Sequence, residues 1–191
     1  MKRICFIVAL MQVVCMSLNA QSITADETKD GHRSVFTDYI ICRSMTDKMV
    51  LSVSLCASVD NGTNEKTILL CPKITTNLSS EAAKDCVMLM RLMDGSVLEF
   101  KSVSDSKSEP KVQNVNGIAI RSNELSLSFP IAESQLETIS KIGVKKVRIG
   151  ITPDMYDKEF KKDKVGAAIG SLWDLVKSTL SKPVKSVHDD F

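Results

Sequence analysis

The clearest pattern in the chain is the alternation across residues 49–59, MVLSVSLCASV. Leu51, Val53, Leu55, Ala57 and Val59 point one way there, and Ser52, Ser54, Cys56 and Ser58 point the other. A period of two with serine on the second face marks a half-buried strand with that face turned to water. DNGTN at 60–64 follows as a turn, because Asn-Gly accepts positive φ at low cost. KTILLCPKI, 66–74, reads as the next strand, and Pro72 places it at an edge or a strand end. Thr37 to Arg43 (TDYIICR) reads as a short strand before these. Residues 86–103 predict a hairpin, with CVMLMRL and VLEFKSV on either side of an Asp94-Gly95 turn.

The polar stretch 104–116 has no core-facing pattern and reads as a loop. A second hairpin is expected from GIAIR at 117–121, a turn at Ser122-Asn123, and ELSLSFPI, where Leu125, Leu127, Phe129 and Ile131 alternate. Glu133 to Ile142 predicts a short helix with Leu136, Ile139 and Ile142 on one face, ended by Gly143. Val144 to Thr152 returns as a strand with Val147, Ile149 and Ile151 inward. Thr152 and Pro153 suit a helix start, so a helix is expected from there. Its later part, KVGAAIGSLWDLVKSTL at 164–180, sets Val165, Ile169, Leu172, Trp173, Val176 and Leu180 on one apolar stripe, expected in the protein's own core. Gly166 and Gly170 form a small-xxx-small pair, which in water lets the helix approach a sheet closely. The uncharged span Val165 to Trp173 is too short to cross a bilayer.

Together these elements predict one α+β domain over residues 35–182. It is a mostly antiparallel sheet or β-sandwich of seven to eight strands, with a short helix and a long C-terminal amphipathic helix packed on it. Residues 21–34, QSITADETKDGHRS, lack an apolar period and read as a flexible N-terminal segment; 183–191 read as a C-terminal tail.

The first 20 residues change what counts as the working protein. Lys2 and Arg3 precede an apolar run from Ile4 to Leu18, and Ala20 supplies a small residue at a cleavage point. That order reads as a signal peptide over 1–20, implying export to the periplasm or the outside of the cell, with no transmembrane span after cleavage. The ending LNA before Gln21 resembles signal-peptide ends of exported Bacteroidetes proteins. FPIAESQLETISKIGVKKVRIGI, from Phe129 to Ile151, is similar in style to the C-terminal halves of small exported proteins of that group, whose function is unknown. The resemblance implies an address and a β-rich architecture, and no activity.

Charge narrows the partners. Without Lys2 and Arg3 the chain holds 23 basic and 23 acidic side chains, a balance that disfavours a nucleic-acid partner. The distribution is uneven: residues 141–187 hold 11 basic and 5 acidic side chains, which suits either an anionic surface or the solvation of a helix.

Candidate chemistry is sparse. His32 and His188 are the two histidines, one in the polar lead-in and one in the tail, so neither is placed to serve a nucleophile, a zinc ion or a haem. No catalytic residue, metal ligand or cofactor is assigned. Cys42, Cys56, Cys71 and Cys86 are candidates for disulfides if the protein is exported. DETKDG, 26–31, departs from a calcium loop at its third position, Thr28, and its twelfth, Thr37. Met88, Met90 and Met93 fit either a core or an adaptable surface, with core favoured by strand alternation. Aromatic residues are few and do not interleave with basic ones.

Three function classes follow. An exported, non-catalytic binding or interaction domain for a protein or envelope component predicts an exposed apolar patch. A carrier of an apolar small ligand predicts a cavity under the long helix. A hydrolase using carboxylates or cysteine without histidine predicts a pocket where titratable groups converge.

Overall fold

A computed structural model of the chain describes residues 21–42, 47–115 and 118–183. The expected signal peptide and most of the tail, His188 included, lie outside the described residues. Within them the chain is an α+β fold dominated by antiparallel sheet, with one short helix and one long C-terminal helix. Every strand pairing among the described residues is antiparallel.

The larger sheet begins with β1 (Ile23–Lys29) and β2 (His32–Thr37), continues through β4 (Val50–Asp60) and β5 (Lys66–Thr76), and ends with β11 (Ile118–Ser126) and β10 (Glu109–Val115). Two short strands attach to it, β3 (Ile40–Ile41) on β4 and β12 (Phe129–Pro130) on β5. The smaller sheet runs β14 (Tyr156–Glu159), β13 (Val144–Ile149), β7 (Val87–Leu92), β8 (Val97–Lys101). A two-stranded ladder pairs β6 (Glu81–Ala82) with β9 (Ser106–Lys107). The helices are α1 (Glu133–Ile142) and α2 (Val165–Leu180).

One apolar cluster joins both sheets and both helices. From the larger sheet come Val35, Leu51, Val53, Leu55, Leu70 and Ile74; from the smaller come Met88, Met90, Leu92, Val147 and Ile149. Along α2, Val165, Ile169, Leu172, Trp173 and Val176 are buried, and Leu180 is half-buried against the same cluster. No helix among the described residues is long and apolar enough to cross a membrane.

Several expectations need correction. Residues 21–34 form β1 and the first half of β2, a hairpin turned at Asp30-Gly31, where both residues have positive φ. β1 was illegible because it is a sheet edge whose residues are mostly exposed on both faces, which leaves no alternation to read. Residues 109–115 are β10 rather than loop, paired with a β11 that runs straight through Ser122 and Asn123, where a turn was expected. This edge is again wet on both sides. Residues 152–160 do not start a helix: 156–159 form β14, and α2 begins at Val165. Tyr156 and Phe160 are both buried and four apart, a spacing that a helix and a strand satisfy equally.

Pro72 lies in the middle of β5, not at an end, with Val53 opposite it on β4. In an extended strand a residue's nitrogen and carbonyl point to the same neighbour. The Pro72 carbonyl accepts from the Leu127 N–H, so its missing donor also faces that side. There the partner is interrupted: β11 pairs with residues 73–76 and β12 with 69–70. The break lets a central strand carry a proline.

Gly166 and Gly170 face α1 and its exit rather than a sheet. A Cβ on Gly166 would lie 2.9 Å from Gly143 Cα, and one on Gly170 would lie 2.4 Å from Ser140 Oγ. The small residues therefore let the two helices touch. Gly143 ends α1 at φ 82°, and Asp163 Oδ1 accepts the N–H groups of both Val144 and Gly166, tying the start of β13 to the first turn of α2.

Candidate interaction face

The serine side of β4 does not face open water. Ser52 and Ser54 are buried, and the register explains why. Directly opposite residues on antiparallel strands project to the same face. Ser52 lies between Ile41 on β3 and Lys73 on β5, and the Lys73 Nζ stands 4.2 Å from the centre of the Tyr39 ring. The Ser54 hydroxyl donates to the Cys71 carbonyl. Farther along, Phe36 on β2, Cys56 on β4, Leu69 on β5 and Pro130 on β12 follow one another in register across the sheet. Ser34 and Ser58, whose hydroxyls lie 3.2 Å apart, mark the polar end of this face.

The outer face of the larger sheet thus carries a band of Phe36, Tyr39, Ile41, Cys56, Leu69 and Pro130. Phe36 is 41% exposed, Tyr39 39% and Ile41 58%. Three large apolar side chains left open on one sheet face, when the other face already builds the core, form a surface suited to an apolar partner. The sequence pattern hid it. Ile41 shares the phase of Tyr39, but the chain breaks its strand between β2 and β3, so Phe36 falls out of step with both.

Cys42, Cys56, Cys71 and Cys86, the cysteines among the described residues, are free thiols, and none of the candidate disulfides among them is formed. Cys56 and Cys71 share the outer face, yet Cys56 is opposite Leu69 and Cys71 is opposite Ser54. Such diagonal neighbours lie about 7–8 Å apart, beyond the usual Cα separation of a disulfide, about 4.4–6.8 Å. Burial pushes the Cys56 thiol up to about 11, helped by the charge of Cys71. Burial raises Cys71 as well, against a lowering bond with the Ser128 hydroxyl.

Cys42 comes closest to a chemical cluster. It is buried beside Tyr156, and the Asp47 carboxylate pairs with Lys158 nearby. Burial, then the charge of Asp163, pushes the Cys42 thiol up to about 12, with Lys164 opposing. Tyr156 is also raised, first by burial and then by Asp47 and Cys42. These shifts hold both groups in their neutral forms at pH 7, the reverse of what an activated nucleophile requires. Among the described residues, no group of three or more His, Cys, Asp and Glu side chains is placed to hold a metal ion.

The remaining candidates sit apart from one another. His32 lies at the start of β2, its Nδ1 3.8 Å from Asp60. Asp26, first of the calcium-like run, forms a two-pronged pair with Arg33. Met88 and Met90 fill the core and Met93 is exposed. A groove of about 420 Å³ at the C-terminal end of α2 has a mixed wall, with Arg33, Asn61, Asn64, Lys66 and Lys177 beside Val59, Trp173 and Leu180. Comparison with family models, with curated proteins and with solved structures finds no match for this chain.

Proposed function

We propose that the chain is an exported, non-catalytic binding domain that meets a protein partner of the cell envelope through the outer face of its larger sheet. Support comes from one observation: Phe36, Tyr39 and Ile41 stand exposed together on a face whose reverse side is core. The band is apolar enough to exclude water on contact and is bordered by a Lys73–Glu124 pair at 3.4 Å, which supplies a polar rim. The N-terminal pattern supports export, and the raised thiols favour binding over cysteine chemistry.

The test places a photo-crosslinking side chain at Ile41 and, separately, at Lys101 on the smaller sheet. A specific envelope partner should be trapped from Ile41, not from Lys101, and should be lost in a Phe36→Glu/Tyr39→Glu variant that keeps its thermal midpoint. Equal trapping from both positions, or trapping untouched by the two charges, would sink the reading. Amino-terminal sequencing of the exported protein should begin at Gln21.

A further inference from the structure

The surplus of positive charge in residues 141–187 acquires a location in the fold. On β13 it is Lys146 and Arg148 that point away from the core, since Val147 and Ile149 point inward. β7 lies alongside with Met88, Met90 and Leu92 buried, so Leu89 and Arg91 share the outward face. The register sets Lys146 opposite Arg91, Arg148 opposite Leu89, and Arg91 opposite Val97 of β8. These five side chains line a depression of about 90 Å³, and no acidic residue lines it.

Its neighbours leave it cationic. Asp157 on β14 is spent on two cations at once, 2.8 Å from Lys146 and 2.6 Å from Arg148. That double contact holds its carboxyl below the usual range, with Lys146 the larger cause and Arg148 next. Glu159, opposite Lys146, pairs with Lys145 at 3.6 Å. Glu99, opposite Leu89, is the remaining acid in register on this face, and Lys101 opposite Val87 offsets it. Among the described residues Arg91 has no ion-pair partner within salt-bridge distance. Three cations against one shared carboxylate leave the depression with an excess of two charges.

We propose that this depression binds a phosphate group, held by Arg91, Lys146 and Arg148, with the apolar portion of its bearer laid on Leu89 and Val97. A phosphate monoester, close to doubly negative at pH 7, matches the excess, and the single charge of a phosphodiester headgroup meets half of it. The guanidinium fork of Arg91 presents paired donors to two oxygens, and the two β13 cations close the other side. The volume fits a single such group and little more. Val97, 52% exposed at the edge of the sheet, gives the bearer's carbon chain a place to leave. The site is on the other sheet from the apolar band and stands independently of it.

The phosphate can come from a soluble ester or from a lipid headgroup, and two measurements separate these sources. One is calorimetric titration with inorganic phosphate. The other is co-sedimentation with phosphatidylcholine vesicles, with and without phosphatidylglycerol. Saturable phosphate binding supports a soluble ester; sedimentation that requires phosphatidylglycerol supports a headgroup. In either arm Arg91→Gln/Lys146→Gln should weaken binding at least about tenfold, while Lys177→Gln on α2 leaves it unchanged and circular dichroism shows both variants folded. Absence of binding in both arms overturns the proposal, as does a double variant that binds like the parent chain. Binding of polyglutamate without binding of phosphate or vesicles also overturns it, because the face would then be reading carboxylates of an acidic protein.

Discussion

Arg33 is 7% exposed, and its guanidinium is divided between one carboxylate and the C-terminal end of a helix. Nε and one terminal nitrogen donate to Asp26, while the terminal nitrogens also donate to the carbonyls of Thr179, Leu180 and Lys182. Those carbonyls belong to the last turn of α2 and just beyond, where the helical ladder runs out, and the Thr179 carbonyl also accepts from the Lys182 N–H. One side chain of the N-terminal hairpin thus caps the C-terminal helix. Replacing Arg33 with Met should lower unfolding free energy by about 2–3 kcal/mol, read from the urea midpoint, and Arg33→Lys should recover only part of it. The bond to Arg33 lowers the Asp26 carboxyl from its ordinary value of 3.8. A depressed acid stabilises the fold fully above the unfolded value and loses that contribution as pH falls through the folded one. The urea midpoint should therefore drop on acidification below pH 3.8, and Asp26→Asn should reduce this drop. None of this was legible in the sequence. Arg33 is one polar residue in a polar run, and its partners at 179–182 are backbone atoms some 150 positions away.

Elements were legible where the core takes one face and polar or mixed side chains take the other. β4, β7 and the stretch Leu125–Ile131 alternate because the core lies on one side of them, and the stripe of α2 repeats for the same reason. The edges β1 and β10 were not legible, since water reaches both of their faces and erases the period. The interaction face failed differently: its residues come from five strands and the link between β2 and β3, and meet only once register is known. Gly166 and Gly170 were noticed but matched to the wrong surface, and their true neighbours allow a sharper test. Gly166→Ala sets its Cβ against the Gly143 backbone, so it should destabilise by about 1–3 kcal/mol despite the helix propensity gained. Gly170→Ala meets the Ser140 hydroxyl first, a group that can rotate, and should cost less. Adding Ser140→Ala should restore part of that loss, a coupling that thermal unfolding of the two single variants and the double variant would measure.

For the whole molecule, the helix that closes the core arrives last in the chain and depends on the beginning. α2 touches α1, β2 and β4, and its end is capped from β2. Leu172→Ala, removing a fully buried side chain from its stripe, should cost about 2–5 kcal/mol and should lower a single cooperative transition without splitting it. A separate early transition for α2, seen by Trp173 fluorescence ahead of the sheet signal, would contradict that picture.

The interruption at Pro72 also has a consequence for fidelity. Along that flank β5 pairs at 69–70 and again at 73–76, and between them Pro72 offers a carbonyl, taken by Leu127, but no donor: that is the blank. A strand that slid by two residues would bring a carbonyl against the pyrrolidine ring with no donor to meet it. The blank works as an index mark: only one alignment of the chain from Asn123 to Pro130 makes both pairings and spans the gap. An extended intruder from another molecule meets the same mark, so the proline keeps the middle of the sheet single-valued.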